Sequence, residues 1–178
     1  MKIKAERQAA ALLAEFNITA PPVPVEAIAE KMGATLVFEP FAGEEDDISG
    51  ILYRKSSHTI IGINSAHSET RRRFTIAHEL GHLALHSKEL FVDKVVRIDF
   101  RDRTSGLAIR PEEIAANAFA AELLMPSEFL ARQIARKLSK RGAPPAKEKL
   151  INDLAKTFKV SPQAMEYRLT NLGILISQ

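Results

Sequence analysis

Apolar residues recur at helical spacing over residues 3–16, where Ala9, Leu12, Leu13 and Phe16 share one side of an amphipathic helix. The run Ala20-Pro21-Pro22-Val23-Pro24 breaks that pattern, and Val25 to Met32 supports a second short helix with Gly33 just past its end. The period then changes. Ala34 to Phe38 is strand-like, and Gly50 to Lys55 and Thr59 to Asn64 are two further strand-like runs around Ser56-Ser57-His58, the pattern of a hairpin. The helical period returns from about Ser68 to His86, with Ser68 as N-cap, Glu69 in the first turn, and Phe74, Ala77, Gly81 and Ala84 on one apolar face. Phe91 to Phe100 reads as a strand and Arg101 to Arg110 as a polar loop. Pro111 opens a helix that runs to about Leu124 and ends at Pro126. Ser127 caps a helix over 128–141, Gly142, Pro144 and Pro145 turn the chain, and two more helices follow, 146–158 and one that starts at Pro162 after the cap Ser161 and stops before Gly173.

Helices dominate this order, with strands gathered in one stretch. The expected fold is therefore α+β, with a small antiparallel sheet packed on the 68–86 helix. A length of 178 residues suits one domain, with residues 1–126 as its main core and 127–178 as a C-terminal helical subdomain resembling a helix-turn-helix. The hydrophobic fraction of 46% supports a sizeable core, and with no Trp that core rests on Leu, Ile, Val, Ala and the nine Phe. The start of the chain lacks a leader-like pattern, and no apolar run reaches the roughly 20 residues of a spanning helix. The expected compartment is the cytoplasm, without membrane association.

Charge changes the picture little. A net charge of +3 is too small to argue for nucleic acid by itself. Glu44, Glu45, Asp46 and Asp47 form an acidic run before the hairpin. Arg132, Arg136, Lys137, Lys140, Arg141, Lys147 and Lys149 make a basic stretch that reads as a solvated helix face rather than a docking surface. The absence of cysteine matters more, because it excludes disulfides and thiolate metal sites. Any zinc site must use His and carboxylate, a donor set that suits a catalytic ion.

His78-Glu79-Leu80-Gly81-His82 is an H-E-x-x-H motif on a helix. Four residues turn about 400°, so the two His lie within about 40° of each other and about 6 Å apart along the axis. Both rings can then reach one Zn2+ ion. Glu79 stands beside them, close enough to serve as general base without being a ligand. A catalytic zinc needs a third protein ligand. His86, one turn further on, has rotated about 80° from His78 and cannot share the ion. The third ligand is expected to be a carboxylate from another helix. Glu113 is the first choice, because Asn117 lies one turn later on the same face and its amide oxygen can accept from the outer N–H of a ligating His. Glu112 and Glu122 are the alternatives. Gly81, costly in a helix interior by roughly 1 kcal/mol, makes sense if a neighbouring element packs closely against that turn. Tyr53, His58, Tyr167 and Arg168 are candidate substrate or oxyanion contacts, each with a structural role as the simpler reading.

Phe74-Thr75-Ile76-Ala77-His78-Glu79-Leu80-Gly81-His82 with Leu85-His86 resembles the core of the ImmA/IrrE metallopeptidases. So do Glu113-Ile114-Ala115-Ala116-Asn117 through Pro126, Arg101-Asp102, Ser105, Leu154-Ala155 to Val160-Ser161, Tyr167-Arg168-Leu169 and Leu172-Gly173. The resemblance covers most of the chain after about residue 20. It implies a zincin-like domain with two His and one Glu on zinc, that glutamate falling on Glu113, and Glu79 as base. It also implies a substrate, a helix-turn-helix repressor cut at a specific bond in a stress, phage or mobile-element response. Many members carry a second Glu directly before the Ala-Asn pair, where this chain has Ala115. Members often carry a fused DNA-binding domain, for which this chain leaves no room before residue 20.

Two other readings remain at this stage. Residues 146–173 have the outline of a helix-turn-helix, but a recognition helix offering only Gln163, Arg168 and Asn171 is poor in base-reading side chains, so direct DNA binding is the lesser expectation. A protein that holds a repressor without cutting it is the other.

Overall fold

The computed structural model describes residues 2–41, 48–55, 58–87, 90–94, 110–139 and 146–175. The acidic run 44–47, the turn residues Ser56 and Ser57, the end of the expected 91–100 strand, Arg101, Asp102 and Ser105, and the turn at 142–145 lie outside the described residues.

The chain runs α1 (Lys2–Glu15), α2 (Val25–Lys31), β1 (Ala34–Glu39), β2 (Ile48–Lys55), β3 (His58–Asn64), α3 (Glu69–Leu85), β4 (Leu90–Lys94), α4 (Pro111–Leu124), α5 (Ser127–Ser139), α6 (Lys147–Phe158) and α7 (Pro162–Asn171). Most boundaries fall within a residue or two of those the hydrophobic period predicts. Ser68 caps α3 by accepting from the Arg71 amide at 3.4 Å, and Ser161 caps α7 by accepting from Ala164 at 3.1 Å. Gly33, just past α2, takes φ 79°, a left-handed turn that favours glycine.

The four strands form one sheet in the order β1-β3-β2-β4, and it is mixed rather than antiparallel. β2 is antiparallel to both β3 and β4, as a hairpin and its neighbour should be. β1 runs parallel to β3, from Ala34 opposite Thr59 to Glu39 opposite Asn64. The pairing of β1 is non-local: it lies beside the second strand of the hairpin, and nothing in its own pattern marks that choice. The hairpin strands are consequently interior, and among the described residues β1 and β4 are the outer strands.

Helix α3 lies between the sheet and α4. One side meets β2 and β3, whose Leu52, Ile61 and Ile63 are buried, and the other meets α4. Every residue from Thr75 to His82 is therefore buried, polar ones included, where the sequence suggested a single apolar face. Gly81 marks the α3–α4 crossing. A Cβ there would stand 3.0 Å from the Ala116 Cα and 3.1 Å from the Ala116 carbonyl oxygen, so the two backbones approach as closely as a missing side chain allows.

Both halves of α3 are tied to distant chain. Buried Arg73 donates to the carbonyls of Val23 at 2.7 Å and Lys159 at 3.3 Å and pairs with Glu26. At the other end, Arg54 of β2 donates to the carbonyls of Leu83 and His86, both at 3.1 Å, which satisfies acceptors that the helix end leaves open. The hydrophobic core runs from Ala5 on α1 to Leu169 on α7 and draws on both the longer N-terminal part and the C-terminal helices.

Candidate metal centre

The crossing at Gly81 places the first turn of α4 over the middle of α3. His78 and His82 bring their Nε2 atoms to 3.0 Å, and Glu113 Oε2 lies 3.2 Å from the first and 3.5 Å from the second. Three ligands around a tetrahedral ion at about 2.0–2.1 Å stand about 3.3–3.4 Å apart. The observed edges bracket that value, so the donors fit one small divalent cation. Both imidazoles are buried, while the Glu113 side chain is 22% exposed, which leaves the centre open on the α4 side.

The rings are held from behind. His78 Nδ1 lies 2.9 Å from Asn117 Oδ1, and since an amide oxygen only accepts, the ring proton sits on Nδ1 and the Nε2 lone pair faces the centre. His82 stacks on Phe91 of β4, with ring centroids 4.1 Å apart and planes 25° apart, and meets His78 edge-on at 4.7 Å. The spacing Glu113–Asn117 thus places a ligand atom and a tautomer-fixing oxygen on the same side of α4. Glu79, next to His78, is wholly buried under β2 at Gly50. His86 packs on His82 at 5.4 Å and also near Phe91. Burial first, and then the neighbouring His82, hold its pKa below the ordinary histidine value, although Glu112 and Glu113 pull the other way.

Among the described residues, the other candidate ligands are not part of this donor group. Glu122 accepts from the Ser127 amide and hydroxyl, each at 3.2 Å, and pairs with Arg168, so it serves the fold rather than an ion. Arg168 is 2% exposed and also donates to the Met125 carbonyl at 3.2 Å and to Glu6 at 3.3 Å. Such a buried guanidinium has no route to a substrate, and its proposed oxyanion role gives way to a clamp between α7, α4 and α1. Tyr53 is exposed on β2, His58 is exposed at the start of β3, and Tyr167 is half-buried on α7. Glu112 lies beside His86. Phe91, Gly50 and Arg54 were missed by sequence reasoning. Phe91 lies in a strand-like run, but ring stacking across elements leaves no mark on local period.

Two imidazoles from one helix and a carboxylate from the next converge on one point beside a buried glutamate, a donor group that could hold one metal ion. The α+β fold, with that helix buried against a small sheet, is the matching scaffold. The chain belongs to the Peptidase_M78 family, the IrrE N-terminal-like domain, whose model matches residues 29–170. It is 33% identical over 114 residues to the radiation response metalloprotease IrrE of Deinococcus radiodurans. That alignment covers 64% of this chain and 31% of the relative, so the chain spans under a third of the protein it matches. No helix among the described residues is long and apolar enough to cross a membrane.

Proposed function

We propose that this chain is a zinc-dependent endopeptidase of the cytoplasm whose substrate is a helix-turn-helix transcriptional repressor, cut at one site in a stress, phage or mobile-element response. The observation that carries the reading is the triangle of donor atoms, 3.0, 3.2 and 3.5 Å on its edges, with two imidazole nitrogens and one carboxylate oxygen. That donor set and spacing favour Zn2+. The repressor substrate rests on the resemblance to the ImmA/IrrE proteins, and the word "radiation response" in the relative's name agrees with a stress context.

His78, His82 and Glu113 would hold the ion, with Asn117 fixing the His78 tautomer. When bound, the ion supplies Lewis acidity that polarises the scissile carbonyl and lowers the pKa of water towards about 7. Glu79 takes a proton from the attacking water and delivers it to the leaving amine. An extended peptide adds to β4, an outer strand among the described residues whose Phe91 supports His82, rather than to the hairpin, whose two strands already have partners on both sides.

The test is Glu79→Gln, co-expressed with helix-turn-helix repressors encoded beside the gene. Cleavage is expected to vanish while one equivalent of zinc and repressor binding remain. If the repressor is inactivated equally well by Glu79→Gln, the protein acts by binding alone. Burial of Arg168 removes one of the three side chains that a DNA-reading α7 offered, leaving Gln163 and Asn171, and so speaks against direct DNA recognition.

A further inference from the structure

Gly50 stands where β2 crosses the metal-binding helix, and its backbone takes a conformation open to any residue, since among the described glycines only Gly33 and Gly173 are left-handed. Conformational freedom therefore does not explain it. Space does. A Cβ at position 50 would lie 2.5 Å from Glu79 Oε1, 3.3 Å from Glu79 Cδ and 2.5 Å from Thr75 Cγ2. The strand is irregular at this point: Ile48 faces Lys94 and Gly50 faces Asp93, so Ser49 is an extra residue against β4. Such a bulge re-aims the chain. Here it buries two successive residues, with Ser49 Oγ accepting from Arg71 Nη2 at 3.2 Å and Gly50 pressed against the Glu79 carboxylate.

We propose that Gly50 is a positioning residue for Glu79: the bulge presents bare backbone to the carboxylate, and that surface sets how far the carboxylate stands from the His78–His82–Glu113 centre. The inference rests on the reading of Glu79 as base. A methyl group at position 50 would push the carboxylate away by about 1 Å, the difference between 2.5 Å and an ordinary contact near 3.5 Å. A reacting group misplaced by about 1 Å loses on the order of 100-fold in rate.

Thr75→Ser removes the second clash and provides the background for the test. In it, Gly50→Ala, Glu79→Ala and the double change are compared by thermal unfolding, zinc stoichiometry and the visible absorption of the cobalt-substituted protein. The expected result is that Gly50→Ala lowers Tm and alters the cobalt spectrum when Glu79 is present, and does neither when position 79 is Ala, with one equivalent of zinc bound throughout. A crystal structure of the Gly50→Ala protein should show the Glu79 carboxylate moved by about 1 Å with the three ligands in place. Equal Tm losses in both backgrounds, or an unmoved carboxylate, would overturn the proposal. Retained repressor cleavage in Glu79→Gln would instead overturn the assignment of the base, and the steric coupling would still be read independently.

Discussion

Gly81→Ala sets two effects of known sign against each other. Alanine favours a helix interior by about 1 kcal/mol over glycine, so on propensity alone the change stabilises. The structure opposes this, because the new methyl would lie 3.0 Å from the Ala116 Cα, 3.1 Å from its oxygen and 3.3 Å from the Phe119 Cβ. Two of these neighbours are backbone of a buried helix, with no rotamer to yield. To restore contacts near 3.5 Å, α4 must retreat by about 0.5 Å. Overpacking of this kind costs about 1–3 kcal/mol. The balance is a loss of about 1 kcal/mol, or about 2–4 °C in Tm for a chain of this size. The larger effect falls on the metal. Glu113 rides on α4, and a shift of about 0.5 Å exceeds the tolerance of about 0.2 Å on ligand distances. Zinc affinity should fall by about 10–100-fold, comparable to loss of an outer-shell partner. Differential scanning calorimetry of the metal-free protein and competition with a chromophoric chelator measure the two quantities separately. A Gly81→Ala protein that melts higher and binds zinc as tightly as the parent would refute the idea that this backbone contact sets the ligand triangle.

Asn117→Ala should weaken zinc binding by about 10–100-fold with the fold intact, while Asn117→Asp, which keeps an acceptor for His78 Nδ1, should restore most of it. Arg168→Met should leave Glu122 buried without its cation and cost about 3–5 kcal/mol, read as a lowered denaturation midpoint, and adding Glu122→Gln should recover part of the loss. Removing metal by chelation should lower Tm, and restoring zinc at about 100 times its dissociation constant should return about 2.7 kcal/mol of stability. If the melting curve ignores zinc, His78, His82 and Glu113 do not form a binding site.

The centre was legible from sequence for a local reason. His78 and His82 are related by helical turn alone, and Glu113 and Asn117 by another turn, so each pair is fixed by 3.6-residue geometry. What joins the pairs is tertiary, yet glycine at position 81 left a trace of the close crossing. Strand β1 shows the limit, since Thr35, Val37 and Phe38 mark a strand but not the neighbour it chooses. Phe91 and Gly50 show the same limit at the site, as each acts on a residue of another element through shape rather than periodicity. Arg168 has the structural role that is its simpler reading in the sequence, but its burial and its three partners from other elements leave no mark on local pattern.

Arg73 has a consequence for dividing this protein. Its guanidinium joins the metal-binding helix to carbonyls 50 residues upstream and 86 residues downstream. A fragment ending after Met125 would keep every ligand yet lose the Lys159 acceptor, leaving a buried cation short of one bond. The part that carries the candidate ligands is therefore not a cassette that can be excised or grafted at that boundary, and shuffling of the C-terminal helices between relatives should succeed only where the turn at position 159 is carried along with them.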